Sequence, residues 1–145
     1  MPVQASQSGV ARRNPDHSSA MVALSAASDA LATAKGLYGE RRFQEAFESS
    51  RDAIRLVSSA LMFRDGCICG TFGSSQAYLL ERYPGMFPLE AWRRIEMFQD
   101  DYGSGPMAAI SRILGKARTA GETEANEALR AATMFVDSAR NELVL

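Results

Sequence analysis

A chain of 145 residues, 46% hydrophobic and 23% charged, has enough apolar material for one globular core and too little length for two ordinary domains. Sixteen basic against seventeen acidic residues leave a formal charge of -1, which excludes a global field that would carry the chain onto DNA or an anionic membrane. No apolar run approaches the ~20 residues that span a bilayer, and Met1 to Gly9 lack the charged start and apolar centre of a secretory leader, so the expected location is cytoplasmic.

Residues 1 to 17 are polar, Ser-rich and without a hydrophobic period, the pattern of a flexible tail that cannot offset the entropy of being ordered. Asp16 and Ser18 are candidate N-caps for a first helix over 18–38, whose apolar stripe runs Met21, Leu24, Ala27, Leu31, Ala34 and Tyr38. Gly39 supplies a stop. A second helix follows from Phe43 through Ala46, Phe47, Ser50, Ala53, Ile54, Val57, Ala60 and Leu61 to Gly66, and the short connection predicts an antiparallel hairpin.

Gly66 to Gly70 reads as a loop carrying Cys67 and Cys69, the only cysteines. Two thiols build no disulfide framework. Zinc needs about four ligands, and the single histidine, His17, is remote, so neither metal nor cofactor is expected. Phe72 to Tyr83 fits a short helix closed by Pro84-Gly85. Pro88, Leu89, Trp92, Ile95, Phe98 and Tyr102 give a third substantial helix ending near Gly103, and 107–116 fits a shorter piece. Thr119 and Glu122 have capping-box spacing before a last helix with the stripe Ala125, Ala128, Leu129, Ala132, Phe135, Val136, Ala139 and Leu143. No segment reads as a strand, so residues 18–145 are expected to form an all-α, up-and-down bundle of four to six helices.

The run Ala32-Thr-Ala-Lys35-Gly-Leu-Tyr38, then Arg42-Phe43-Gln-Glu45-Ala46-Phe47 and Arg51-Asp-Ala53-Ile54-Arg55, resembles the first helical hairpin of HEPN domains, the higher eukaryotes and prokaryotes nucleotide-binding family. The acidic, alanine-rich start of the last helix, Glu122-Thr-Glu124-Ala125, leading to Phe135-Val136, is similar to that family's closing helix. The resemblance spans roughly residues 20–143. It implies a bundle of four or five helices, frequent homodimers, and nucleotide or RNA ligands. It also implies, for many members, a nucleotidyltransferase-type partner in a toxin-antitoxin arrangement.

The ribonuclease branch of that family carries Arg, then His after four to six residues, in the later helices. Here the spacing occurs only in Arg12 to His17, ahead of the first helix, and Thr71-Phe72 stands where several relatives have Thr-His. Phenylalanine transfers no proton. A catalyst would have to use carboxylates such as Asp52 or Asp65. The expectation is therefore a non-catalytic binding protein with ligand candidates Arg51, Asp52, Arg55 and Arg64 on the second helix, Arg51 and Arg55 lying one turn apart so that both reach one phosphate or carboxylate. An RNA-cleaving protein with an altered site and a purely structural dimerisation module stay open as alternatives. Trp92, Phe98 and Phe135 fit core positions, and Arg93-Arg94, offset by Glu96, Asp100 and Asp101, fits a solvated face.

Overall fold

The structure, a computed structural model, describes residues 10–98 and 119–144. Helix α1 (His17–Gly39) starts where Asp16 takes hydrogen bonds from the Ser19 backbone N–H at 2.9 Å and the Ser19 hydroxyl at 2.7 Å. Its buried seam is mostly alanine, with Ala20, Ala23, Ala27 and Ala34 beside Leu24 and Leu31. Small side chains let a neighbouring helix approach closely. The helix runs through Gly39 instead of stopping there. Arg42 N–H donates to Leu37 O at 2.9 Å and Arg41 N–H to Tyr38 O at 3.0 Å, a Schellman closure in which Arg41, at φ 62°, takes the left-handed position usually given to glycine.

Helix α2 (Phe43–Asp65) returns beside α1 as the predicted antiparallel hairpin, burying Phe47, Ile54, Val57 and Leu61. Gly66 ends it in the left-handed conformation, φ 72°. Beyond it the expectation of an all-loop segment gives way to a small antiparallel ribbon between β1 (Val10–Arg12) and β2 (Cys67–Cys69), pairing Val10 with Cys69 and Arg12 with Cys67. Arg13 N–H continues the ladder to Gly66 O at 2.8 Å, and Asp16 N–H reaches Phe63 O at 2.8 Å. Residues 10–16, counted with the tail on composition, are thus held against the end of α2, while 1–9 lie outside the described residues. Backbone pairing and the Arg13 guanidinium, 4.0 Å over the Phe63 ring, leave no hydrophobic period in the sequence.

Helix α3 (Phe72–Arg82) opens with a reciprocal capping box between Thr71 and Ser74. Helix α4 (Leu89–Met97) follows Pro88, and its predicted continuation through Tyr102, like the piece at 107–116, falls outside the described residues. Helix α5 (Glu122–Val144) begins at Glu122, and Ala125 N–H bonds Gly121 O at 2.9 Å, so Gly121 occupies the cap position expected for Thr119. The Ala120 N–H is taken instead by Gln44 Oε1 of α2 at 2.6 Å.

Cross-links fix the helix directions. Gln44 and Ala120 join the starts of α2 and α5, and Arg64 and Glu142 join their ends, so these two run parallel. Ser138 meets Met86 and Arg94 meets Glu127, so α4 runs opposite to α5. The result is an all-α, up-down-up-down bundle with α3 set into the crossover before α4. Its centre holds Phe47, Ile54, Leu61, Leu79, Trp92, Phe135 and Val136, with Phe135 stacked on Phe87 and Trp92 against it edge-on. Among the described residues no helix is long and apolar enough to cross a membrane.

Candidate functional site

The four residues singled out on α2 do not form one group. Arg55 faces α4, where its Nε and Nη2 meet Glu96 Oε1 and Oε2 at 2.7 and 2.6 Å, a bidentate fork. Trp92, one turn before Glu96, donates its indole N–H to Glu96 Oε1 at 3.1 Å. Arg51, half-buried one turn before Arg55 with its guanidinium 5.9 Å over the Phe47 ring, adds its charge to the same carboxylate. Burial alone would raise the Glu96 carboxyl; the bonds from Arg55 and Trp92 and the charges of Arg55 and Arg51 outweigh it and hold the group below the usual carboxylate range. One cation therefore grips the half-buried anion and a second adds its field. Asp52 lies exposed and outside this arrangement.

Arg64 belongs elsewhere, about 13.5 Å farther along the helix axis at 1.5 Å per residue. It donates to Asp65 Oδ1 at 3.1 Å, to the Glu142 backbone oxygen at 3.0 Å, to Glu142 Oε1 at 3.2 Å and to the Tyr83 hydroxyl. The hydroxyls of Tyr78 and Tyr83 both donate to Asp65 Oδ2, and Arg82 Nε stands 3.7 Å from that oxygen. Burial would raise Asp65, but the bonds from Tyr78, Tyr83 and Arg64 and the charge of Arg64 hold it below its ordinary value. Burial and the adjacent carboxylate push Tyr83 up to about 12 and Tyr78 higher still. Every member already has a partner in this cluster, which ties the ends of α2 and α5 to α3. Its geometry is that of a structural joint.

The Arg55–Glu96 pair lines a groove of about 410 Å³ between α2, the end of β2, the start of α3 and α4. Ser58 and Met62 line it from α2, Cys69 and Ser75 from the ribbon and α3, and Phe72 and Trp92 from the aromatic side. Phe72 and Trp92 meet edge to face, 4.9 Å between centroids. The Ser75 hydroxyl is used by Thr71 O at 3.1 Å, whereas the Ser58 hydroxyl, on a residue only 2% exposed, has no hydrogen-bond partner. Burial raises the Cys69 thiol, so it stays protonated near neutrality.

Arg12 and His17, the one pair with ribonuclease spacing, are both exposed and neither lines the groove. Cys67 and Cys69 are free thiols, and among the described residues no three His, Cys, Asp or Glu side chains gather as a metal site. Two groups of the groove escaped the sequence reading. Glu96, read there as part of a solvated face, is half-buried; its spacing of four from Trp92 was the available signal, since such residues share one helix face. Ser58 carried a fainter one, a hydroxyl next to the apolar stripe positions Ile54, Val57 and Leu61. No family model matches the chain, nor does any curated protein or solved structure, so the chemistry of the site rests on these side chains alone.

Proposed function

We propose that the chain is a non-catalytic, HEPN-like binding protein, working as a homodimer, that takes a nucleotide or a nucleotidyltransferase-type partner at the polar face of α2, where Arg55 lines the groove. The observation that carries this reading is the bidentate grip of Arg55 on Glu96, reinforced by the charge of Arg51 one turn away. A phosphate presents oxygens in the same fork as a carboxylate, so a guanidinium set for one is set for the other, and Glu96 holds the place that a ligand phosphate would contest. The groove that the pair lines falls within the ~300–1,000 Å³ range of small-molecule sites.

The titratable groups of the groove are what supports the non-catalytic part. The groove offers one mutually neutralised ion pair and a protonated thiol, and neither suits proton transfer near neutral pH. Calorimetric titration of the whole chain with inorganic phosphate and with nucleoside mono-, di- and triphosphates tests the proposal. Binding that weakens with salt and is lost in Arg55→Ala supports it. Absence of heat with all of these ligands refutes it, and sedimentation as a monomer at micromolar concentration removes the dimer.

A further inference from the structure

Cys67 and Cys69 stand two positions apart on β2, so their side chains leave the strand on one face, while Ile68 between them points the other way and is exposed. Both thiols are half-buried against the core, on the side of α3. Ser75 of that helix lies within hydrogen-bond reach of the Cys69 sulfur, Cys67 is close enough to act on the Tyr78 hydroxyl, and the two sulfurs act on each other. Pairing of Cys69 with Val10 and of Cys67 with Arg12 keeps β2 extended, with the two Cα atoms about 6.6 Å apart, at the far end of the ~4.4–6.8 Å that a disulfide spans. A sulfur–sulfur bond of about 2.05 Å would therefore bend the ribbon. A cation held between the sulfurs asks less, since two metal–sulfur bonds of about 2.3 Å set them as much as ~4.6 Å apart.

The surrounding donors decide which cation fits. Asp65 is engaged by Tyr78, Tyr83 and Arg64, and Glu96 by Arg55 and Trp92. Among the described residues no third His, Cys, Asp or Glu joins the pair, which leaves zinc short of its four ligands. The soft donor closest at hand is the Met62 thioether, which lines the groove together with Cys69. Two thiolates beside a thioether select a soft cation, and Cu(I) accepts two sulfur ligands. Arg12, opposite Cys67 in the register and so on the same face, supplies positive charge for a dithiolate–copper unit that carries one net negative charge. We propose that Cys67 and Cys69 form a two-thiolate site for Cu(I) on the ribbon, a binding role separate from the phosphate reading. As copper binds, each S–H bond breaks with its proton passing to solvent, one Cu–S bond forms at each sulfur, and the metal stays in the +1 state, so no electron is transferred.

The full chain, reduced and under nitrogen, is titrated with Cu(I) in competition with a chromogenic Cu(I) chelator, and separately with zinc(II). One Cu(I) per chain is expected, held more tightly than zinc. Cys67→Ser and Cys69→Ser are each expected to lower the copper affinity by at least about 100-fold, beyond the ~10–100-fold that loss of a merely supporting group brings. Failure to take Cu(I) from the chelator, wild-type affinity in either variant, or tighter binding of zinc overturns the site. A second measurement needs no substitution. In the unaltered chain one equivalent of Cu(I) is expected to shield both thiols together from iodoacetamide, read by mass, and protection of one thiol alone or of neither also overturns it.

Discussion

Replacing Asp65 by Asn keeps the side-chain volume and removes only the charge on which Tyr78, Tyr83 and Arg64 converge. The side chain is 9% exposed, so solvent screens these bonds little. Hydrogen bonds to a charged group contribute about 1.5–3 kcal/mol each, but the three share one carboxylate and are not additive. Loss of a partner from a buried ion pair costs about 3–5 kcal/mol, and here Glu142 remains to compensate Arg64, which places the expected loss near 3 kcal/mol. For a chain of this size that corresponds to a fall of roughly 6–12 °C in melting temperature. The pH dependence gives an independent check. Asp65 titrates below its ordinary 3.8 when folded, so its contribution is complete above that value and disappears as pH falls through the folded value. Thermal melts of wild type and Asp65→Asn from pH 7 to pH 2.5 should therefore show a constant gap down to about pH 5 that closes below pH 4. A gap under ~1 kcal/mol at pH 7, or one that persists unchanged at pH 2.5, would refute the reasoning.

Gly66→Ala combines a left-handed residue with a Cβ placed 2.4 Å from Arg13 O, so urea denaturation is expected to show a loss of about 2–4 kcal/mol, and a loss under ~1 would mean the N-terminal arm yields freely. Arg41→Gly removes left-handed strain but also the Arg41 stack 5.4 Å from the Phe43 ring; the net expectation is a gain of about 0.5–1 kcal/mol, read by the same method, and a destabilised variant contradicts it. Glu96→Gln takes away the internal competitor for Arg55. Since that guanidinium is half exposed, the pair is worth only ~1 kcal/mol, and affinity for inorganic phosphate is expected to rise about fivefold by calorimetry; unchanged or weaker binding counts against the phosphate site.

The long helices were legible because alanine and larger apolar residues recur every three or four positions, a signal that survives without tertiary information. The hairpin followed from the short link after α1. What escaped was whatever depends on backbone or on distant partners. Arg41 took the left-handed place because the 37–42 closure is set by where the chain must turn, and no side-chain pattern marks it. Ala120 found its acceptor in Gln44, 76 positions away, so the local Thr119–Glu122 box was not needed. At the site, periodicity placed Arg51 and Arg55 on one face; Arg55 grips the Glu96 carboxylate and Arg51 adds its charge to it. It could not separate Arg64 from them, since the partners that draw Arg64 aside, Tyr83 and Glu142, belong to other helices.

The ribbon between Val10 and Cys69 spans roughly sixty positions, so its closure carries the entropy of a long loop while the α1–α2 hairpin inside it needs only local contacts. The hairpin can reach its packing first and be fastened afterwards. A deletion ending at residue 16 strips the cover from Phe63 and Gly66 and leaves the first helix without its cap.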